Sequence, residues 1–138
     1  MTIHRIKHLN AIMAAELAVL AAKIPDLALD NYIQYLYEYL PSSDMAVYGL
    51  FDDAGDLVGF AHAEAPHPVW PTEGYLLMSA AKPGLPLKAR RSVLEAVENW
   101  LRSKGATTLR ITTNRSARAF NRLYGVYPTH DQILEKSL

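Results

Sequence analysis

The first forty residues contain two helix-forming runs, each followed by a proline. The run Asn10 to Ile24 begins with an N-capping amide, continues in strong helix formers and stops before Pro25. A second helix is expected from Asp30, whose carboxylate would cap it, to Leu40, because Pro41 cannot continue it. The pattern therefore predicts that the chain opens with two helices.

The second predicted helix has two adjoining stripes, one of tyrosines and one of aliphatic side chains. They are Tyr32, Tyr35 and Tyr39, and Ile33, Leu36 and Leu40. Such a helix packs its aliphatic stripe on a core, and the tyrosines could complete that core. The alternative is that the tyrosines face a substrate as part of a lid.

The next twenty residues alternate as two strands of a β-hairpin. Between Met45 and Ala65, two apolar runs flank the turn sequence Asp-Asp-Ala-Gly-Asp, in which Gly55 tolerates a left-handed backbone. Alternation with period two places Phe60, His62 and Glu64 on one face of the second strand.

A strand, a helix and a second strand follow. Glu73 to Ala81 is apolar enough for a buried strand, Lys88 to Gly105 has an amphipathic helical pattern, and Thr107 to Thr113 alternates as a strand. The inner stripe of the predicted helix consists of Ala89, Val93, Val97, Trp100 and Leu101. A strand–helix–strand unit of this length predicts that the two strands run parallel.

The last quarter of the chain is predicted to hold a shorter helix and a final strand. Asn114 can cap a helix that ends near Tyr124 and Gly125. The segment Gln132 to Leu138 has the composition of a strand.

Length and composition indicate one domain spanning residues 1–138. Half of the 138 residues are hydrophobic, which is enough for one core. The chain contains no cysteine, so disulfides and thiolate metal sites are excluded. The first ten residues carry charge where a signal peptide would be apolar, and no apolar run reaches the roughly 18 residues of a membrane span. A soluble cytoplasmic protein is the expectation.

Charge is divided unevenly along the chain. Residues 1–81 contain three Lys or Arg against ten Asp or Glu, whereas residues 82–122 contain ten Lys or Arg against two Glu. The basic segment suits a polyanion, such as a nucleotide carrying several phosphates. The alternative is that the acidic and basic parts attract each other within the fold.

The basic segment contains a candidate phosphate site. In open α/β sheets ligands bind beyond the carboxyl ends of strands, here the loop 82–87 and the junction at Asn114. The start of the following helix offers free N–H groups and a positive dipole end. Arg91 and Arg102 have helical Glu partners, but Lys88 and Arg90 have none, so they are the first candidates for phosphate contacts.

The order of elements and several local sequences resemble the GNAT superfamily of acyl-CoA-dependent N-acyltransferases. "LFDDAGDLVGFAHAE" is similar to the hairpin before that family's cofactor strand, and "EAVENWLRSKGATTLRITT" to its cofactor-side helix and the strand after it. The family's sequence motif that follows this strand is matched by Asn114, Ala117, Phe120, Gly125 and Val126. The resemblance implies an α/β (α+β) fold with a mixed, mostly antiparallel sheet, in which a central near-parallel strand pair is flanked by helices.

The resemblance also implies acetyl-CoA as co-substrate. Main-chain groups of Met78 to Lys82 would align the pantetheine, and Lys88, Arg90 and the helix start would hold the phosphates. The residues expected to contact the cofactor are Met78, Ala80, Lys82, Lys88, Ala89, Arg90, Asn114, Ala117, Phe120 and Asn121.

The phosphate loop departs from the family pattern. The family's Gln or Arg position falls near Leu85, and its two small-residue positions fall near Lys88 and Arg90, so the small residues that let backbone amides approach a pyrophosphate are replaced. We expect weaker and more salt-dependent cofactor binding.

The position of the family's tyrosine acid also departs from the pattern. In this chain the tyrosine's position in the family motif holds Asn121, whose amide can hydrogen-bond a sulfur but cannot give up a proton at neutral pH. Tyr124, three residues on, is therefore the candidate general acid. A purely structural amide is the alternative role for Asn121.

Candidate bases for the acceptor amine are carboxylates and one imidazole on two strands. Glu73 is the first candidate, with Glu64 and His62 as the other; a structural or solvated role is the alternative for each. His4 and His8 have the spacing of one helical face, but no third ligand accompanies them, so no metal site is predicted.

The leading hypothesis is acetyl transfer from acetyl-CoA to a primary amine of a small molecule or a protein. The alternative is a catalytically silent scaffold that acts through protein contacts, with Trp70, the proline-rich loop and the tyrosine helix as its surface. Nucleic-acid binding through Arg115, Arg118 and Arg122 is the least favoured hypothesis, because no aromatic residues interleave them. The chain alone leaves a homodimer open.

Overall fold

The computed structural model of the chain describes residues 1–112, 125–129 and 132–138. Within them the chain forms five strands and three helices. In chain order these are β1 (Thr2–Ile6), α1 (Ala11–Ala21), α2 (Leu29–Tyr39), β2 (Met45–Phe51), β3 (Leu57–Glu64), β4 (Glu73–Ala81), α3 (Leu87–Ser103) and β5 (Thr108–Ile111).

The strands form one mixed sheet in the order β1-β2-β3-β4-β5. Neighbouring strands are antiparallel except β4 and β5, which are parallel and joined by the α3 crossover. This arrangement confirms the predicted fold class and the predicted parallel pair.

Each face of the sheet has its own core. On one face α1 and α2 pack against β2 and β3 through Leu17, Leu20, Leu36 and Phe60. On the other, α3 packs its buried stripe, which includes Val97 and Trp100, against residues of β2, β3 and β4. Strands covered on both faces bury nearly every side chain, as β3 does.

The first helix and the hairpin follow the sequence prediction closely. The Asn10 side chain accepts a hydrogen bond from the Met13 amide at 2.8 Å and so caps α1. In the hairpin turn, Gly55 has a φ of 86°, and the Asp52 carboxylate accepts from the amides of Ala54 and Asp56. Local turn chemistry therefore fixes both elements.

Close packing of β4 on α3 requires a glycine. A Cβ added at Gly74 would lie 2.6 Å from Leu101 Cδ2, and Leu101 is buried. The paired beginning of β4 is thus held tightly against the helix that follows it.

The predicted cap of the second helix is wrong. Helix α2 begins at Leu29, and Ala28 is its cap residue, without a side-chain cap bond. The Ala28 carbonyl accepts from the Tyr32 amide at 2.9 Å, so Asp30 already lies inside the first turn. There its carboxylate faces the positive end of the helix dipole, which also favours an acidic residue.

The tyrosine stripe of α2 divides between core and solvent. Tyr32 is buried together with Leu36 and Leu40, whereas Tyr35 and Tyr39 are exposed. A single stripe of a helix can cross the boundary of the core in this way, because only part of its width faces the sheet.

The first strand was not predicted. Residues Thr2–Ile6 form an edge strand antiparallel to β2, in which His4 lies opposite Gly49. The expectation that His4 and His8 share a helical face is therefore wrong. The two isoleucines of this segment, Ile3 and Ile6, are three residues apart and pack on opposite faces of the sheet, so no apolar alternation marks the strand in the sequence.

Two further expectations about strands need correction. Strand β4 is only partly buried beyond Leu76, although its composition predicts a buried strand. The segment from Gln132 to Leu138 forms no strand and is exposed along its whole length. Apolar composition alone predicted these features, and composition does not determine which neighbours cover a segment.

Candidate functional site

Strand β4 has two halves with different surroundings. Its first four residues, Glu73–Leu76, pair with β3 on one side and with β5 on the other. From Leu77 to Ala81 its hydrogen-bonding partner among the described strands is β3 alone. Within the described residues, the carboxyl half of β4 therefore has an open backbone edge on the β5 side, where an extended ligand can pair.

A bulge marks the boundary between the two halves. His62 lies opposite Met78 and Ala63 lies opposite Leu76, so Leu77 is the extra residue of β4. The Leu77 side chain is 50% exposed. A bulge of this kind redirects the strand and leaves backbone groups out of the ladder, a common arrangement next to active sites.

The start of α3 lies directly beyond the carboxyl end of β4. Its cap residue is Pro86, with no side-chain cap bond, and the Pro86 carbonyl accepts from the amides of Ala89 and Arg90. The amides of Leu87 and Lys88 have no partner within the described chain. Free N–H groups at a helix start attract anions.

The loop before α3 keeps one glycine, in a turn. Gly84 has a φ of 80°, and an added Cβ would meet no atom within 4 Å. Leu85 is half-buried against the core on the α3 face, whereas Leu87 is exposed. The loop is thus anchored by a single leucine and is otherwise open to solvent.

Three basic side chains surround this helix start: Lys82, Lys88 and Arg90. None of them forms an ion pair with a carboxylate of the described chain. Arg90 Nε is buried and has no hydrogen-bond partner there either. By contrast, Arg102 pairs with Glu98 at 3.8 Å, as its helical spacing predicts.

A chain of hydrogen bonds crosses the other face of the sheet. The Tyr32 hydroxyl lies 2.8 Å from His62 Nδ1, and His62 Nε2 lies 3.2 Å from Glu64 Oε1. His62 has no exposed surface, whereas the Glu64 side chain is 30% exposed. The chain therefore runs from the core to the surface.

The partners determine where the protons lie in this chain when His62 is neutral. A carboxylate only accepts, so His62 Nε2 must carry the proton that it donates to Glu64. His62 Nδ1 is then an acceptor, and the Tyr32 hydroxyl donates to it. Both ring nitrogens of the buried imidazole are thereby satisfied.

Tyrosine rings enclose the imidazole on the α2 side. The Tyr35 ring is stacked on His62 with a centroid separation of 6.3 Å and also contacts Tyr39 at 4.9 Å. Burial, and then the negative charge of Glu64, raises the pKa of both Tyr32 and Tyr35. Both hydroxyls therefore keep their protons through neutral pH and beyond.

Glu73 lies in a separate network at the paired end of β4. Its carboxylate forms an ion pair with Arg110 at 2.8 Å and accepts a hydrogen bond from the Tyr75 hydroxyl at 3.1 Å. Tyr75 lies opposite Glu64 across the β3–β4 pair. The two carboxylates are thus neighbours on one face, but Glu73 is held by a cation and Glu64 by an imidazole.

The structure brings six of the predicted cofactor contacts to one end of the sheet: Met78, Ala80, Lys82, Lys88, Ala89 and Arg90. The other predicted site residues lie outside the described residues: Asn114, Ala117, Phe120, Asn121 and Tyr124. The Tyr32 contact to His62 was missed, because periodicity cannot pair a helix with a particular strand.

Two classes of feature are absent from the described residues. None of their helices is long and apolar enough to cross a membrane. Nor do these residues bring three His, Cys, Asp or Glu side chains together in a cluster that could hold a metal ion.

Replacement of Tyr32 by Phe should change how stability depends on pH. The folded protein keeps the Tyr32 proton above the ordinary pKa of 10.0, whereas the unfolded chain loses it, so stability falls as pH rises above that value. In Tyr32→Phe this decline should be less steep, by up to ~1.4 kcal/mol per pH unit. Urea unfolding at pH values above and below 10 measures the slope.

The matched control for this measurement is Tyr37→Phe, which changes an exposed ring on the same helix. Its slope should equal that of the unmodified protein. An equally steep decline in Tyr32→Phe would contradict the burial of a protonated hydroxyl.

Comparison with known proteins identifies the fold. No protein-family model and no curated protein matches the sequence. Among solved structures, AAC(6')-Iy in complex with the bisubstrate analog CoA-S-monomethyl-acetylneamine matches with a TM-score of 0.77 at 17% identity, covering 100% of this chain and 99% of that one. Aminoglycoside 6'-N-acetyltransferase AAC(6')-IG from Acinetobacter haemolyticus matches with a TM-score of 0.79 at 14% identity and the same coverage.

A third match is a ribosomal-protein-alanine N-acetyltransferase from Brucella melitensis biovar Abortus 2308. Its TM-score is 0.70 at 18% identity, and all of both chains is covered. At such identities the likeness establishes architecture alone. The chain has the fold of the GNAT acetyltransferases.

Proposed function

We propose that the protein transfers an acetyl group from acetyl-CoA to a primary amine. The observation that carries this proposal is the open edge of β4 from Leu77 to Ala81, next to an uncapped helix start. Structures of this fold include one bound to a bisubstrate analog of CoA. An extended amide-containing chain such as pantetheine can pair with an open strand edge.

The carboxyl half of β4 would align the pantetheine arm. The Lys82 amide donates to the Val58 carbonyl at 2.8 Å, so the main-chain groups of Lys82 and of every second residue before it face β3. The main-chain groups of Ser79 and Ala81 face the other edge and can exchange hydrogen bonds with the two amides of the arm. The bulge at Leu77 would then lie beside the thioester, where a backbone N–H outside the ladder can stabilise the developing oxyanion.

The start of α3 would hold the phosphates. The free amides of Leu87 and Lys88 and the side chains of Lys88 and Arg90 supply positive potential at one place. Ala89, next to them, adds no bulk at the helix surface. Because side-chain charge replaces the glycine-lined backbone of the family pattern, affinity should depend strongly on salt.

The segment that follows β5 would complete the cofactor site. Asn114, Ala117, Phe120 and Asn121 are proposed to flank the cofactor, on the sequence frame alone. Tyr124 is proposed as the general acid for the departing thiolate. A general acid contributes about 10²- to 10⁴-fold to rate, so its displacement from the family position is compatible with slower transfer.

The acceptor is proposed to be a cationic primary amine, carried by a small molecule or by a protein. The partly exposed carboxylate of Glu64 and the exposed rings of Tyr35 and Tyr39 lie on the face opposite α3. Carboxylates and aromatic rings attract ammonium groups. Several neighbours of this fold are named for aminoglycosides and one for a ribosomal protein, so both acceptor classes belong in the test.

Acetyl transfer should be detected directly by mass spectrometry. The protein is incubated with acetyl-CoA and, in separate reactions, with neamine, spermidine and a peptide that begins with alanine. We expect the mass of one acetyl group on at least one amine, and no such product without protein. Inert behaviour with all three, together with no heat and no thermal shift at millimolar acetyl-CoA, would favour the silent scaffold instead.

Removal of the basic side chains should weaken cofactor binding. In the double variant Lys88→Ala/Arg90→Ala, two charge-assisted contacts are lost, and the Kd for acetyl-CoA measured by calorimetry should rise about 10²-fold. Its dependence on salt should also become shallower.

Lys23→Ala is the matched control, because it removes an exposed charge after α1. Its Kd should be unchanged. Equal affinity of the double variant and the control would show that the phosphates bind elsewhere.

A further inference from the structure

We infer that Glu64 takes the proton from the acceptor's ammonium group, and that His62 and Tyr32 hold its carboxylate for this task. The inference rests on the proposed acetyl transfer and assigns its proton acceptor. It concerns the hydrogen-bonded chain of these three residues on the α1–α2 face.

The position of the chain relative to the bulge supports this role. His62 lies opposite Met78 and Glu64 lies opposite Tyr75, so Leu77 falls between these two pairs. Neighbouring strands are about 4.8 Å apart, which places the Glu64 side chain one strand away from the bulge. If the thioester lies at the bulge, an amine that approaches it from this face passes Glu64.

The two oxygens of Glu64 have different surroundings. Oε1 accepts from His62 Nε2, whereas Oε2 has no partner in the described part of the chain. With 30% of the side chain exposed, Oε2 can meet an ammonium from solvent. One oxygen therefore orients the carboxylate and the other remains available as an acceptor.

His62 and Tyr32 act through Glu64. Neither nitrogen of His62 is free, since Tyr32 occupies Nδ1 and Glu64 occupies Nε2. Both rings are also buried. They are positioning residues, because an acceptor amine cannot reach them without breaking the chain of hydrogen bonds.

The surroundings of Glu64 suit a cation. Tyr32 and Tyr35 face it from α2, His62 from β3, and Tyr75, bonded to Glu73, from β4. These four groups are uncharged when His62 is neutral. Arg110 of β5 lies opposite Tyr75 on the same face, and its charge is paired with Glu73. The exposed Tyr35 ring adds a face on which an ammonium can rest before it gives up its proton.

The step balances without a further reactant. The ammonium loses one proton to Glu64, and the neutral amine attacks the thioester carbon to form the C–N bond. The C–S bond then breaks, and the departing thiolate takes the second nitrogen proton, directly or through a general acid. The protonated Glu64 returns its proton to solvent, so the products are an amide, free CoA thiol and one released proton.

The variant Glu64→Gln tests the inference, because it keeps the shape and the bond from His62 but cannot accept a proton. Transfer is measured with spermidine, neamine and the alanine peptide. At neutral pH we expect kcat/KM for the acetylated amine to fall about 10²- to 10⁴-fold. The difference in kcat/KM between Glu64→Gln and the unmodified protein should shrink as pH rises, because more of the amine is then neutral in solution. It should shrink by up to about tenfold per pH unit, up to a pH of about 10.

Matched variants separate a proton acceptor from a structural group. Glu38→Gln removes an exposed carboxylate from α2 and should leave transfer unchanged. Tyr32→Phe should lower kcat more modestly, at most about tenfold, with little change in KM, because it removes one positioning bond. The Kd of Glu64→Gln for acetyl-CoA should equal that of the unmodified protein.

Three results would overturn the inference. A deficit of Glu64→Gln that is the same at every pH would indicate a structural role. Full activity of Glu64→Gln with loss in Glu73→Gln would place the base at Glu73. If the unmodified protein acetylates none of the three amines, both the inference and the proposed function fail; if it does and Glu64→Gln matches it, only the inference fails.

Discussion

The arrangement of the site depends on strand β4, which the described strands pair on both sides over only half of its length. At its beginning, β4 is fixed between β3 and β5, and Gly74 lets it lie against Leu101 of α3. Beyond the bulge at Leu77, the described chain offers hydrogen-bonding partners on one side only. Backbone groups in such a position need partners from water or a ligand, so this edge is the natural place for an extended substrate.

Acidic and basic side chains lie at different places around the carboxyl half of β4. The α1–α2 face carries Glu64 and a group of tyrosines, whereas the turn into α3 carries Lys82, Lys88 and Arg90. Part of the basic segment, Lys82, Lys88 and Arg90, thus lies at the carboxyl end of β4, whereas Arg102 lies in the last turn of α3 and Arg110 pairs with Glu73. The phosphates of a cofactor would be attracted to the basic turn, and a positively charged amine would be attracted to Glu64. The two molecules would then meet at the bulge.

Sequence pattern predicted the elements that rest on local chemistry, and it failed where distant partners decide. The Asn10 cap, the Gly55 turn and the amphipathic stripe of α3 each need only neighbours in sequence. The edge strand β1 and the exposed tail at Gln132–Leu138 depend on which surfaces lie nearby. For the site, the basic residues before and within α3 were predicted from spacing. The bulge at Leu77 and the pairing of Tyr32 with His62 were not, because both result from the register between separate elements.

The most direct measurement is hydrogen–deuterium exchange of the β4 amides with and without acetyl-CoA. The account predicts that exchange in Leu77–Ala81 slows when acetyl-CoA is added, since the pantetheine arm would occupy the open edge, while amides shared by β1 and β2 stay unchanged. Binding of acetyl-CoA without any slowing in Leu77–Ala81 would contradict the account.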